Sequence, residues 1–185
     1  MRLFAAIPLP EPARSEILGL LSRLRATGWP VRWVGDEGIH LTLKFFGEVS
    51  SDRLEVIAEA VRYAGQGAFP LALRLDDLGA FPSSQRPRVL WVGLDATPAL
   101  ELLQDRIERG GEAIGFPPEG VPFHPHITLG RVREGQRCPQ GALQEYEDAY
   151  ERASFTGEQV VLYESVLTPH GPRYEPQLTI DLGAA

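Results

Sequence analysis

The hydrophobic positions change period repeatedly along the chain. Arg2 to Pro8 is a short apolar run that predicts one buried strand. Beyond Pro12, Ile17, Leu18, Leu21 and Leu24 recur at helical spacing, proline being tolerated in a first turn, and Gly28-Trp29-Pro30 ends the helix. Val31 to Val34 and Ile39 to Phe46 predict a strand pair around Gly35-Asp36-Glu37-Gly38. Asp52 with Glu55 opens a second helix through Tyr63, closed by Gly65 and Gly67, and Phe69 to Leu75 returns to strand. The order then recurs: a strand at Arg88 to Leu94, a helix from Thr97-Pro98 to about Arg109, a strand at His126 to Val132, a helix from about Gln140 to Tyr150, and a strand at Val160 to Thr168. Tyr174 to Leu182 is a last strand, pairing back through Pro169-His170-Gly171-Pro172 and leaving His170 in an exposed turn.

The recurrence extends to residue identity. His40-Leu41-Thr42-Leu43 returns as His126-Ile127-Thr128-Leu129, an offset of 86 positions. The same offset joins Pro12 to Pro98, Ile17 to Leu103, Leu21 to Ile107, Glu48 to Glu134 and Phe69 to Phe155. One register without a gap indicates internal duplication. The expected architecture is a single bilobal α+β domain over 1–185, with a first repeat at about 1–80, a second at about 88–168 and a C-terminal extension at about 169–185. Two antiparallel sheets would face a central cleft, with helices outside and a pseudo-two-fold axis between the lobes.

Composition narrows the class. With 185 residues, 43% of them hydrophobic, the chain can bury a real core. The opening apolar run meets Pro8 and Pro10 too soon for a signal peptide or a membrane span, so the expectation is a cytoplasmic monomer without a membrane partner. The lone Cys138 excludes an internal disulfide and a CxxC redox pair. A net charge of −7 argues against broad polyanion binding but leaves room for a small anionic site. Lys44 is the single lysine, and arginine, the better bidentate phosphate ligand, supplies the other positive charges.

Period-2 alternation puts each histidine on one strand face with its threonine. Two imidazoles related by a pseudo-two-fold axis suit in-line displacement at phosphorus, one taking a proton from the nucleophile and the other giving one to the leaving oxygen. Thr42 and Thr128 would donate to the non-bridging oxygens. The scheme needs no metal or cofactor. His40, His124 and His126 could alternatively form a three-nitrogen zinc site, although Pro125 and the loop position fit a structural or rim role for His124. Arg86, Arg88, Arg131, Arg133 and Arg137 could line an RNA path or form an ordinary solvated face. Phe4, Phe45, Phe46 and Trp91 are candidates for stacking on a base, and otherwise core residues.

These residues resemble the two-histidine phosphoesterase superfamily, specifically the RNA 2′,3′-cyclic phosphodiesterases also called 2′-5′ RNA ligases. Besides the two motifs, the resemblance includes Arg2-Leu3-Phe4-Ala5-Ala6-Ile7, Phe123 to Arg131, Leu162-Tyr163-Glu164-Ser165, Gly171 and Tyr174. It implies a bilobal fold, hydrolysis of 2′,3′-cyclic phosphate on RNA ends or small cyclic nucleotides to 2′-phosphomonoesters, and a capacity for 2′-5′ joining. It also implies His40 as proton donor and His126 as proton acceptor, an order the spacing alone leaves open, with Thr42 and Thr128 binding phosphate. Arg131 matches a frequent family arginine, yet its strand parity is opposite to that of His126. It reaches the site only where a bulge or a strand end re-aims it. The reading from a different class is an RNA- or nucleotide-end binding module.

Overall fold

The computed structural model describes residues 1–139, 141–169 and 171–183; Gln140 and His170, both named above, lie outside them. Among the described residues the strands are β1 (Arg2–Pro8), β2 (Val31–Trp33), β3 (His40–Glu48), β4 (Leu71–Phe81), β5 (Val89–Leu94), β6 (His126–Val132), β7 (Ser154–Gly157), β8 (Gln159–Thr168) and β9 (Gly171–Asp181). The α-helices are α1 (Ala13–Arg25), α2 (Leu54–Gly65) and α3 (Pro98–Ala113). None of them is long and apolar enough to cross a membrane.

Helix α1 buries Ile17, Leu21 and Leu24 of the four residues that the periodicity marks, together with Ala13 and Leu20, while Leu18 is half-buried. Helix α3 is capped by the Thr97 side chain, which accepts from the Leu100 N–H, with Pro98 in the first turn. It continues through Gly110 and Gly111, past the expected end at Arg109. Both glycines have packing reasons. A Cβ on Gly110 would sit 3.4 Å from the Ala60 carbonyl of α2, and one on Gly111 would lie 2.4 Å from the Lys44 Cε.

The sheet path runs β7-β4-β5-β6-β3-β1-β8-β9, with β2 added on β6. Its two halves, β6-β5-β4-β7 and β3-β1-β8-β9, are antiparallel and meet through one recorded pair, Leu41 with Ile127. The motif strands carry the same burial sequence over seven residues, with the histidine and threonine half-buried, the two residues after the threonine buried (Leu43 and Lys44, Leu129 and Gly130), and positions 45 and 131 exposed. The outer strands are exchanged between sequence halves. β4 follows the first motif yet pairs with β5, while β8 follows the second motif and pairs with β1.

Three local expectations change. β2 and β3 do not form a hairpin; β2 pairs with β6, matching Val31 to Val132 and Trp33 to Gly130. Sequence proximity favoured the hairpin, but Gly130 leaves room for β2 to lie close against β6. In the segment expected as a helix from about Gln140 to Tyr150, the described residues hold only a 3₁₀ turn at Ala142–Tyr146, entered from Gly141 in the left-handed region at φ 69°. Its acidic run Glu145, Glu147, Asp148 and Glu151 interrupts any apolar stripe. β4 extends to Phe81, and the short β7 beside it had no clear alternation to announce it.

Candidate active site

The pairing of Leu41 with Ile127 in an antiparallel register sets His40 across from Thr128 and Thr42 across from His126. Leu41 and Ile127 are fully buried, so the four polar side chains share the opposite face. The two histidines are thus diagonal neighbours, a relation that places Cα atoms about 7–8 Å apart in a regular ladder. A phosphate can enter between imidazoles so placed, with a threonine beside each.

Each histidine sits among aromatic rings from neighbouring strands. The His40 ring lies 4.9 Å from Phe4 of β1, 6.2 Å from Tyr163 of β8 and 5.3 Å, edge-on, from Tyr174 of β9. The His126 ring lies 5.0 Å from Phe81 of β4 and 6.1 Å from Trp91 of β5. Desolvation in these boxes opposes imidazolium formation. It lowers the His40 pKa to about 4. The His126 pKa is also lowered, first by burial and then by the charges of His124 and Arg131, against a hydrogen bond to the His124 backbone that raises it. That bond fixes the His126 tautomer. Its Nδ1 lies 2.7 Å from the His124 carbonyl, which can only accept, so Nδ1 carries the proton and the neutral ring's Nε2 keeps a lone pair.

A β-bulge brings Arg131 onto the same face. On β6, Thr128 pairs with Trp91 and Gly130 with Leu90, leaving Leu129 as an extra residue. On β3, Thr42 pairs with Ala6 and Lys44 with Ala5, leaving Leu43 extra at the equivalent place. Parity flips after each bulge, so Gly130 and Lys44 turn inward while Arg131 and Phe45 emerge beside the histidines. Arg131 adds to the burial that lowers the His126 pKa, and it opposes the burial that raises the Tyr174 pKa in the other half, so its charge is felt on both sides of the junction.

The other candidates separate by exposure. Phe4 and Phe46 are buried and Trp91 is half-buried, whereas Phe45 is 45% exposed, its ring resting 5.6 Å from that of Phe4 on one side. Arg86, Arg88, Arg133 and Arg137 are exposed. Cys138 is buried, which pushes its thiol pKa up and away from reactivity. His124 is exposed, its ring 6.4 Å from that of His126. Among the described residues no group of three or more His, Cys, Asp or Glu side chains is arranged to hold a metal ion. The sequence names Tyr163 and Tyr174 as parts of the resemblance without a role, and the structure brings both rings onto His40. Phe81 carried no sequence signal, since its contact with His126 depends on β4 crossing to the other half.

Comparison with known proteins identifies the family. The model of the LigT-like phosphoesterases matches the chain twice, over residues 7–91 and 92–174. An RNA 2′,3′-cyclic phosphodiesterase of Aeropyrum pernix is 39% identical over 166 residues, covering 86% of this chain and 93% of that protein. The crystal structure of the protein TT0787 of Thermus thermophilus superposes with a TM-score of 0.81 at 28% identity, covering 98% of each chain. Escherichia coli LigT complexed with 3′-AMP superposes with a TM-score of 0.76 at 29% identity, covering 99% of this chain and 98% of that one. With the family model accounting for nearly the whole length in two consecutive matches, the chain belongs to the LigT-like phosphoesterase family.

Proposed function

We propose that the protein is an RNA 2′,3′-cyclic phosphodiesterase acting on RNA ends or small cyclic nucleotides by acid–base catalysis between His40 and His126. The observation that carries this reading is the pairing of Leu41 with Ile127, which gathers both histidines and both threonines on one face. His126 Nε2 takes a proton from water as its oxygen attacks phosphorus. The P–O3′ bond breaks on the far side, His40 gives its proton to O3′, and the product keeps a 2′-phosphate. Thr42, Thr128 and Arg131 stabilise the non-bridging oxygens as charge develops. Phe45 supplies the stacking surface for the base. A 5′-hydroxyl in place of water would give a 2′-5′ bond by the same proton transfers. In this reading the chain works as a cytoplasmic monomer, its repeats bounded at about 1–80 and 88–168 with the 169–185 extension completing the first half.

The test is incubation with a 2′,3′-cyclic nucleotide in excess chelator, with the phosphate position of the product assigned by NMR. Release of a 2′-phosphomonoester is expected. Turnover that disappears on chelation and returns with zinc would overturn the acid–base reading. Tight binding of the cyclic nucleotide without turnover would instead mark an RNA-end binding module.

A further inference from the structure

The two bulges are equivalent, but they are held by different means. In the second half, β2 lies beside β6 and the Val34 N–H donates to the Leu129 carbonyl at 2.9 Å. The approach is close enough that a Cβ on Gly130 would meet Val31 Cγ1 at 2.6 Å and the Arg32 carbonyl at 3.0 Å. Shifted by the 86-residue offset, β2 corresponds to Pro117, Pro118 and Glu119. Two consecutive prolines cannot donate to a ladder, so the first half has no such strand at that place.

Side chains occupy its position. The Gln104 Nε2 of α3 approaches the Leu43 carbonyl at 3.4 Å and Glu108 Oε1 at 3.3 Å. Lys44, which stands where the second half has Gly130, donates to Glu108 Oε2 at 2.6 Å and to the Pro117 carbonyl at 3.2 Å. Its side chain is 1% exposed and its stem crosses α3 at Gly111. A buried ion pair is an expensive way to gain stability, because desolvating both charges offsets most of their attraction. Its retention here accords with a demand for register.

We infer that Lys44, Glu108 and Gln104 are positioning residues for His40 and Thr42, a polar substitute for the missing strand that fixes the bulge at Leu43. Without the bulge, Thr42 and Phe45 could not share a face while Leu41, Leu43 and Phe46 stay in the core. The consequence for catalysis rests on the acid–base reading above; the placement of His40 does not.

The test uses Lys44→Met with Glu108→Met, which removes both charges together and strands neither, and Gln104→Met as a milder variant. Turnover of a 2′,3′-cyclic nucleotide should fall at least about tenfold in the double variant with KM changed much less, as expected when reacting groups are misplaced. In parallel, ¹³C-labelled imidazoles are titrated by NMR. The His40 pKa should rise toward the ordinary value as its aromatic box loosens, while that of His126 stays put. Gln104→Met should show the same changes in smaller measure. Turnover within twofold of the parent together with an unmoved His40 titration would overturn the inference, as would equal movement of both histidines. If the parent protein does not hydrolyse the nucleotide, the functional reading fails and the titration alone decides: a selective His40 shift supports the positioning role and an unmoved His40 refutes it. Should the double variant not fold, Gln104→Met decides by the same two measurements.

Discussion

Burial among Phe4, Tyr163 and Tyr174 opposes protonation of His40 and leaves it neutral at pH 7. On the acid–base reading, binding of an anionic phosphate beside it should therefore be coupled to proton uptake. Both histidines titrate low in the free protein, so the bell-shaped profile of kcat/KM should peak on the acid side, between about 4 and the unperturbed value near 6.5. The kcat profile should lie at higher pH, since bound phosphate favours both imidazolium forms. A kcat/KM maximum above pH 7.5 would contradict this environment. The same burial affects stability. The unfolded chain protonates His40 below about 6.5 while the native state resists until about 4, so stability is full above the unfolded pKa and declines as pH falls between the two values. Water reaching the half-buried ring reduces the loss to roughly 2 kcal/mol. His40→Asn should flatten that part of a denaturant-midpoint profile.

Roles at this scale can be separated chemically. His40→Ala and His126→Ala should each lower turnover by about 10² to 10⁴ with the fold intact by circular dichroism. A substrate with sulfur as the 3′-leaving atom needs little protonation on departure. It should restore much of the loss in His40→Ala and little in His126→Ala, as the free Nε2 lone pair of His126 implies. Rescue of the other variant would reverse the roles. The histidines and threonines were legible in the sequence because two strand copies repeat them in one register. The aromatic boxes were not, because Tyr163, Tyr174 and Phe81 arrive from strands distant in the chain.

At the scale of elements, the bulges show how a duplicated pattern can conceal a structural feature. The extra residue falls at Leu43 and at Leu129, so aligning the copies reveals no gap and simple alternation assigns Arg131 to the wrong face. Most of the strands and helix α1 follow from apolar spacing, and helices α2 and α3 from their capping and turn residues; β7 and the far half of β4 do not. Pairing partners did not: β2 lies next to β3 in the chain but against β6 in space. Gly130 is the position that permits this. Gly130→Ala would press a methyl on Val31, Trp33 and the Arg32 backbone, and should destabilise the fold by about 1–3 kcal/mol, measured by chemical denaturation. Hydrogen exchange at Val34, whose N–H bonds to Leu129, should accelerate first. Unchanged protection there would mean that β2 accommodates the methyl by moving as a body.

For the whole molecule, the crossing of β4 and β8 decides what can be separated. A cut between β4 and β5, in the segment Ser83 to Arg86, leaves β4 without β5 and β7 in one fragment, and β7 and β8 without β4 and β1 in the other. Neither piece should fold cooperatively alone, since each retains open strand edges beside an incomplete core. Mixed, the two should recover both the circular dichroism spectrum and the turnover of the intact chain. An N-terminal fragment that unfolds cooperatively by itself would contradict that dependence.

The exchanged strands also bear on descent. A single ancestral repeat with this topology would have completed its sheet only by lending its outer strand to a second copy, and its reaction centre would have contained one histidine from each of two identical chains. Identical chains cannot specialise, because any change made for the donor would appear in the acceptor too. Joining the copies removed that restriction, and the differences are visible at equivalent positions of the two motif strands: Lys44 in place of Gly130, Phe45 in place of Arg131, a polar prop on one strand and a backbone neighbour on the other. Gene fusion, on this account, freed two once identical motif strands to diverge.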